Sequence, residues 1–532
     1  MLAHVLLALP LAVLLLAPGA NAQSASGSAQ RPPSATDRAQ LVSRADLVPA
    51  YRGVDQVYAA RLPSAGPVRA AINRAFDRAT LRFFSGDLAA TVRSIADVRQ
   101  MLAGTTLDTL ARRTPLQRFI VRVAPFAWRA STAATDRART DSLELMLRPL
   151  GIDSAATDSM SIRVEITPVQ ASSPRGARWS RTLVLPMGSR GPIRLAVAPS
   201  ELRSLTPGRY LARAVRADAV ADSSLSEEFA IVASPPDTVR ATLAAAVAAL
   251  APAPAALAPA PAALEWTRAL FLERLALLNG SPTDDQTAVR LADPTQVAAQ
   301  LRGELSMLTR QRNPYANRAG DLWWQLAGRP ATAGAPRAAL AVRVIASTSV
   351  AQSPTPVPLI IALHGAGMDE NGFADGYGNG LLLREAAARG MLVAAPATIA
   401  VQRTPALLDS LIVTLARSYA VDSTRIYLLG HSMGAGAVTQ LLQRTGHPFA
   451  AAVAIAGGAA ITSAGGVPPL RYVGAALDPI IPAARVKQSA SQSAASGVRA
   501  EYVEVADVGH TMVVTHVLGE SLDWLLTHRR AP

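Results

Sequence analysis

The 532-residue sequence contains no cysteine. This absence excludes disulfide bonds, zinc sites with thiolate ligands, iron–sulfur clusters and cysteine nucleophiles. Histidine is also scarce, with seven copies, and none of them lies between His4 and His364. Proton transfer by histidine is therefore expected only in the last third of the chain.

The sequence also lacks any compact run of basic residues, although its formal net charge is +14. Scattered, solvated arginines explain this charge better than a polyanion-binding patch, so we expect no nucleic-acid partner. Half of the residues are hydrophobic, which excludes disorder of the whole chain. The length predicts several domains.

Long uninterrupted apolar runs are missing outside the N-terminus. Residues 1–22 are typical of a secretory signal peptide, because an apolar stretch from Val5 to Leu16 precedes the small-residue pattern Ala20-Asn21-Ala22. We therefore expect a secreted or periplasmic protein with no integral membrane segment after cleavage. The composition gives no indication of oligomeric state.

Changes in residue pattern divide the rest of the chain. Apolar residues repeat at helical spacing from Ile72 to Leu102, and short alternating runs separated by turns follow from about residue 142. Paired tryptophans, Trp323 and Trp324, could form a substrate platform, but we expect them to pack one domain against another. The predicted segments are a flexible lead at 23–40, a helical region at 41–138, an immunoglobulin-like β-sandwich at 139–234, a Pro/Ala linker with helices at 235–336, and a mostly parallel α/β domain at 337–532.

The strongest motif is Gly430-His431-Ser432-Met433-Gly434. It follows a buried apolar run and opens a helical one, where a G-x-S-x-G sequence forces the serine into a sharp strand-to-helix turn. The turn exposes the hydroxyl, and the helix N-terminus offers free N–H groups to a developing oxyanion. Ser432 is therefore the candidate nucleophile.

Candidate partners for Ser432 follow in the order Asp478 and then His510. Both residues lie just past predicted strands, at the sheet edge where ligands bind in open α/β sheets. His510 would accept the serine proton, and Asp478 would fix its tautomer. Asp507 and Asp422 are alternative acids, but Asp422 precedes its strand and Asp507 is adjacent to the histidine in a loop.

A glycine-rich turn, His364-Gly365-Ala366-Gly367, follows another buried strand. We expect the oxyanion hole to combine the N–H of Met433 with that of Gly365 or Ala366. His364 and His431 flank these groups and are candidate substrate-contact residues, although bracing of the turn and packing beside the elbow are alternative roles. No metal or cofactor is expected.

These motifs give residues 337–532 a resemblance to the α/β-hydrolase superfamily. Within it the chain resembles secreted esterases of the feruloyl, acetylxylan and polyhydroxyalkanoate-depolymerase type, and the catalytic domain of prolyl-oligopeptidase-type peptidases. The resemblance implies acyl transfer through a serine ester followed by hydrolysis. It depends on His364-Gly365-Ala366-Gly367, the elbow motif, Asp478 before Pro479, and Gly509-His510.

The expected function is hydrolysis of a small-molecule or polymer-borne carboxylic ester. A peptidase is an alternative, weakened by the absence of propeller-like repeats upstream. A non-catalytic binding protein on the same fold is a second alternative. The short spacings between Ser432, Asp478 and His510 leave no room for an inserted lid domain, so any cover must come from the N-terminal domains or from residues 368–379. Because all three candidates lie after residue 337, the isolated C-terminal domain is expected to keep some activity.

Overall fold

The computed structural model describes residues 44–102, 116, 119–124, 127–129, 142–149, 159–169, 179–186, 192–217, 223–250, 260–278, 294–327, 338–463 and 465–531. The predicted signal peptide and the flexible lead lie outside these residues. No described helix is long and apolar enough to cross a membrane. The described residues all belong to one compact unit.

Three helices open the described chain and pack around a shared apolar core. Pro67 occupies the first turn of the second helix, where its missing N–H costs nothing. The buried face of that helix repeats at three- and four-residue steps through Ile72, Phe76 and Ala79, as the helical spacing in the sequence predicts. The core also includes Met512 of the C-terminal domain. The helices are α1 (Arg44–Ala60), α2 (Pro67–Phe84) and α3 (Leu88–Leu102).

A mostly antiparallel β layer follows. Its strands pair in the order β5-β4-β7-β8-β1-β3-β6, with β2 beside β8, and they enclose a single core. Hydrogen bonding is continuous along this order, because β1 and β8 pair in parallel over a short stretch. This pairing joins the strands β5-β4-β7-β8 to the strands β1-β3-β6. The strands are β1 (Phe119–Ala124), β2 (Ala127–Arg129), β3 (Leu143–Pro149), β4 (Ser159–Pro168), β5 (Trp179–Pro186), β6 (Ile193–Val197), β7 (Gly208–Arg216) and β8 (Leu225–Val232).

Two boundaries of this layer differ from the sequence prediction. Strand β1 lies inside residues 41–138, which were predicted to be helical. Its apolar run is too short for its periodicity to distinguish a strand from a helix. Helix α4 (Pro236–Ala248) occupies part of the predicted Pro/Ala linker, with Pro236 in its first turn. Two further helices confirm the helical prediction after the linker: α5 (Ala260–Arg274) and α6 (Pro294–Thr309).

The C-terminal domain is built on a second eight-stranded sheet. Its order is β16-β15-β14-β13-β11-β12-β10-β9, and every pair is parallel except β9–β10 and β10–β12. Central strands are buried on both faces, as the continuous apolar runs predict. The strands are β9 (Gly320–Ala327), β10 (Ala339–Ala346), β11 (Val357–Leu363), β12 (Leu392–Pro396), β13 (Val421–His431), β14 (Ala451–Ile455), β15 (Leu470–Ala475) and β16 (Ala500–Val505).

Helices cover both faces of this sheet and form two apolar cores with it. This arrangement confirms the α/β prediction for the C-terminal part of the chain. The helices are α7 (Thr348–Ala351), α8 (Gly372–Asp375), α9 (Tyr377–Ala388), α10 (Thr398–Arg403), α11 (Ala406–Ser418), α12 (Met433–Leu442), α13 (Ala483–Ala495) and α14 (Val513–Leu526).

The sheet begins earlier than residue 337. Strand β9 pairs antiparallel with β10 along its whole length, so it is the first strand of the domain. Alternation along β9 sends Trp324 into the core of the sheet and Trp323 against the helices around α4 to α6. The tryptophan pair therefore joins two regions of the chain, as expected.

Candidate active site

The elbow at Ser432 has the predicted geometry. Strand β13 ends at His431, α12 begins at Met433, and Ser432 between them has φ 53° and ψ −113°. Neighbouring glycines make this turn possible, since a Cβ on Gly430 would lie 2.3 Å from the carbonyl oxygen of Gly434. A Cβ on Gly434 would lie 1.9 Å from the carbonyl oxygen of Leu363. The motif is thus a steric requirement of the turn.

Ser432, His510 and Asp478 meet above the carboxyl ends of the strands. The Oγ of Ser432 lies 2.9 Å from Nε2 of His510, and Nδ1 of His510 lies 2.6 Å from Oδ2 of Asp478. Both distances are those of hydrogen bonds. His510 and Asp478 are buried, whereas Ser432 is partly exposed. A serine, a base and an orienting acid are therefore in contact in the order expected.

Two backbone groups hold the Asp478 carboxylate in place. Its Oδ1 accepts hydrogen bonds from the N–H groups of Ile480 at 2.8 Å and Ile481 at 2.9 Å. These bonds leave Oδ2 aimed at the histidine. An acid fixed in this way holds the imidazole in one orientation and tautomer.

The two alternative acids lie elsewhere. Asp507 accepts a hydrogen bond from the N–H of Gly66 at 3.0 Å, in the turn before α2. Asp422 binds Thr424 and Arg425 at the start of β13. Asp478 is the acid that contacts His510.

The structure reduces the candidate donors of the oxyanion hole from three N–H groups to two. Met433 is the first residue of α12, where N–H groups have no partner within the helix. The N–H of Gly365 donates to the hydroxyl of Tyr377 at 3.1 Å, so it is not available to an oxyanion. Ala366 is exposed beside it and becomes the second candidate with Met433. The inclusion of Gly365 was wrong, because the sequence does not reveal the Tyr377 hydroxyl.

His364 and His431 are both buried, and each is bonded to the backbone around the site. His364 accepts from the N–H of Thr398 at 3.0 Å, which leaves its other ring nitrogen as the donor to the carbonyl of Gly365. His431 donates to the carbonyl of His510 at 2.9 Å. Burial lowers the pKa of both imidazoles, so each stays neutral. Bracing of the backbone is the role that their bonds support, and substrate contact by either histidine stays a prediction.

Tyr377 links the glycine-rich turn to the elbow. Its hydroxyl accepts from Gly365 and donates to Nδ1 of His431 at 2.7 Å, while His431 in turn holds the backbone of His510. One chain of hydrogen bonds therefore runs from the turn at Gly365 to the base. Tyr377 is fully buried, and burial raises its pKa. No sequence motif pointed to it.

Helix α2 supplies two further residues that sequence analysis missed. Asn73 accepts from the N–H of Gly509 at 2.9 Å, and Asp77 accepts from the N–H of His510 at 3.1 Å. The two side chains are four residues apart and so lie on one helix face. A Cβ on Gly509 would lie 1.9 Å from Asp77, which explains the glycine before the histidine.

Asp77 has an unusual environment for a carboxyl group. Burial raises its pKa to about 8, and the charge of Asp478 acts in the same direction, while the hydrogen bond from His510 opposes both. Protonation of Asp77 avoids two adjacent buried charges. The only signal in the sequence is the polar pair Asn73 and Asp77 within an otherwise apolar helical face.

Helix α1 holds the first four residues of α9, which have non-helical backbone angles. Residues 377–380 all have positive φ, although two of them, Tyr377 and Asn379, are not glycine. A left-handed turn of this kind costs about 1–2 kcal/mol per non-glycine residue. The carboxylate of Asp55 offsets this cost by accepting from Gly378 at 2.8 Å and Asn379 at 2.7 Å.

A cavity of about 310 Å³ lies between these helices and the glycine-rich turn. Ala366 and Thr511, which follow the turn and the base, form part of its wall. Its cover comes from α1 to α3 and from residues 368–376, as the short triad spacings implied. Among the described residues, no group of three or more His, Asp or Glu side chains is arranged to hold a metal ion.

Fold and site together define a class of protein. The C-terminal domain has the architecture of an α/β-hydrolase, and its elbow serine is bonded to a histidine and an acid at the edge of the mostly parallel sheet, which is the arrangement that serine hydrolases use. The resemblance in the sequence is thereby confirmed.

Comparison with known proteins agrees with this class. Residues 390–528, about a quarter of the chain, match the family model described as serine aminopeptidase, S33. No curated protein matches the sequence.

Several solved structures are similar. A thermostable esterase has a TM-score of 0.35 and 13% identity, covering 78% of this chain and 100% of its own. An S-formylglutathione hydrolase of Staphylococcus aureus has a TM-score of 0.31 and 15% identity, covering 40% and 99%. A ferulic acid esterase has a TM-score of 0.31 and 13% identity, covering 39% and 98%. The function proposed for the chain follows from the site's own atoms.

Proposed function

We propose that this protein hydrolyses carboxylic esters through an acyl-enzyme on Ser432. The observation that carries the proposal is the pair of contacts of His510, 2.9 Å to the Ser432 hydroxyl and 2.6 Å to Asp478. A serine hydroxyl becomes a useful nucleophile when an adjacent base accepts its proton and a third group orients that base.

The reaction has two halves. In the first, Ser432 Oγ attacks the ester carbonyl carbon while its proton moves to Nε2 of His510. The imidazolium is stabilised by Asp478, and it then gives the proton to the departing alcohol. In the second, a water molecule loses a proton to His510 and attacks the acyl carbon. The bond from that carbon to Ser432 Oγ then breaks, and His510 returns the proton to Oγ, which releases the acid and restores the free serine.

The tetrahedral intermediates place negative charge on the former carbonyl oxygen. We assign its donors to the N–H groups of Met433 and Ala366. The N-terminus of α12 adds a partial positive charge on the same side. In other serine hydrolases the loss of one such donor lowers kcat on the order of 10²–10³-fold.

Ester cleavage is preferred to removal of N-terminal amino acids. An aminopeptidase must bind a charged amino group, for which a free carboxylate is the natural partner. In the cavity wall, Asp375 is paired with Arg343 at 2.9 Å and Asp369 accepts from Asn371 at 2.9 Å. The family model named for a serine aminopeptidase keeps that activity as a second candidate.

The test compares the whole protein with Ser432→Ala on p-nitrophenyl acetate and on aminoacyl p-nitroanilides. We expect the wild type to cleave the ester far faster than the anilides, and Ser432→Ala to lose both activities. Faster cleavage of the anilides would replace the esterase proposal by the aminopeptidase. An inactive wild type would favour a binding protein, and full activity in Ser432→Ala would refute the site.

We further propose that the protein is exported. The pattern in residues 1–22 supports this, and the absence of cysteine suits an oxidising compartment. N-terminal sequencing of the protein from the extracytoplasmic fraction is expected to begin at Gln23. Recovery of the intact N-terminus from the cytoplasm would contradict export.

A further inference from the structure

The cavity beside the site has walls from two regions that are distant in the sequence. One wall comes from α1 to α3, and the other from the glycine-rich turn and its neighbours. The two walls touch, since a Cβ on Gly367 would lie 2.7 Å from the ring of Phe83. The apolar side chains that line it include Leu47, Tyr51, Phe76, Phe83, Ile95 and Met368.

The charged side chains in the wall already have partners. Arg52 donates to Glu228 at 3.1 Å, and Asp375 accepts from Arg343 at 2.9 Å. Asp369 accepts from the backbone and the side chain of Asn371. An occupant would therefore meet a mostly apolar surface whose charged side chains are bonded to other protein groups, which favours an uncharged apolar group.

The position of the cavity connects it to the reacting atoms. Ala366, which carries the proposed oxyanion N–H, is in its wall, and so is Thr511, the residue after His510. The cavity thus borders residues adjacent to the reacting groups, and we expect a substituent of the ester carbonyl at Ser432 to reach it. Its volume is about 310 Å³, roughly twice that of an engineered apolar cavity of about 150 Å³ that binds benzene.

We propose that this cavity is the specificity pocket of the enzyme, and that it takes an uncharged apolar group, an aryl group of one or two rings or a medium alkyl chain. The inference rests on the proposed ester hydrolysis and adds its substrate class. The N-terminal helices thereby select the substrate for a reaction whose reactive groups all lie in the C-terminal domain.

The experiment uses two series of esters on the whole protein. One series lengthens the acyl chain of p-nitrophenyl esters from two to eight carbons, and the other enlarges the alcohol of acetate esters from methanol to 2-naphthol. Each methylene that enters the pocket should raise kcat/KM about fourfold. The series that responds identifies which side of the ester the pocket holds, and a flat response in both would overturn the proposal.

Thr80→Trp is the informative variant, because Thr80 lines the cavity and is only partly buried. We expect the ratio of kcat/KM for the largest preferred ester to that for p-nitrophenyl acetate to fall at least tenfold. Arg78→Trp places the same ring on an exposed position of the same helix and should leave the ratio unchanged. Equal ratios in the two variants would show that the cavity does not select the substrate.

A binding measurement separates this proposal from the reaction itself. N-phenyl-1-naphthylamine, an uncharged fluorophore, should bind Ser432→Ala, and adding Thr80→Trp should weaken it at least tenfold while adding Arg78→Trp should not. That result would support the pocket even if no ester were hydrolysed. Equal binding in all three proteins would refute the pocket even if ester hydrolysis were established.

Discussion

The C-terminal domain and helix α2 contribute to the same site in different ways. The domain carries Ser432, Asp478 and His510, each at a position that a strand-to-loop motif marks in the sequence. Helix α2 contributes Asn73 and Asp77, which accept hydrogen bonds from backbone N–H groups of the histidine loop. The comparison shows that the reactive side chains and the side chains that position them come from different regions of the chain, and that only the reactive ones lie in recognisable sequence motifs.

The same comparison changes one expectation. All triad candidates lie after residue 337, which predicted that the isolated domain would keep activity. The histidine loop, however, is bonded to α2, and the turn at 377–380 is bonded to Asp55 on α1. Without these helices, buried donors would lose their partners, so the domain alone is now expected to be inactive.

The largest effect should come from the reactive side of the comparison. His510→Ala removes the base, and we expect kcat for p-nitrophenyl acetate to fall on the order of 10⁴–10⁶-fold, since members of a triad act as a unit. His528→Ala, at the end of α14, is the matched control and should keep wild-type kcat. A loss of less than about tenfold in His510→Ala would mean that another group is the base.

A smaller effect is expected from the supporting side. The double variant Asn73→Ala/Asp77→Ala leaves the N–H groups of Gly509 and His510 buried without acceptors, at about 1–3 kcal/mol each. We expect kcat to fall about 10- to 100-fold with little change in KM, together with a lower free energy of unfolding in urea.

Two variants separate positioning from general destabilisation. Asp87→Ala removes the carboxylate that accepts from Ala90 at the start of α3, and should lower stability by about 1 kcal/mol without changing kcat. Asp77→Asn keeps an acceptor for His510 and should restore most of the lost kcat. If Asp87→Ala lowered kcat as much as the double variant does, α2 would have no positioning role.

Tyr377→Phe tests the link between the oxyanion turn and the base. It removes the hydroxyl that joins Gly365 to His431, and we expect about a tenfold loss of kcat from one broken hydrogen-bond chain. Tyr427→Phe is the matched control, because Tyr427 lies in β13 and its hydroxyl donates to the carbonyl of His528 rather than to a residue of the site. It should have no effect on kcat. Equal kcat in both variants would show that the chain is not needed for positioning.

The extent of sequence prediction follows from the range of each interaction. The mostly parallel α/β architecture and the elbow depend on local patterns, namely buried apolar runs and glycines required by a single turn, so they could be predicted. Gly365 was misassigned because its N–H is occupied by Tyr377, a contact between residues twelve positions apart across a loop. Asn73 and Asp77 could not be predicted, because their partners are more than 430 residues away and are backbone groups of no particular residue type.

The smallest expected effect is a change in how stability depends on pH. Burial raises the pKa of Asp77 to about 8 in the folded protein, against 3.8 for an ordinary aspartate. Between these values the folded protein holds a proton that the unfolded chain has released. The contribution of Asp77 to the free energy of unfolding is therefore greatest below pH 4, and it decreases as the pH rises towards 8.

Asp55 and Glu370 also have raised pKa values, of about 6 and about 8, and so also make stability fall as the pH rises. Both residues are present in the wild type and in Asp77→Asn, so the difference between the two proteins isolates the contribution of Asp77. The variant keeps an oxygen acceptor for the N–H of His510 but cannot titrate. Its free energy of unfolding in urea should fall less steeply between pH 5 and pH 8 than that of the wild type, by at most about 1.4 kcal/mol per pH unit. If the free energy of unfolding depended on pH in the same way in both proteins, Asp77 would already be charged beside Asp478. Two adjacent carboxylates would then contact His510, and α2 would influence the base by its charge as well as by positioning it.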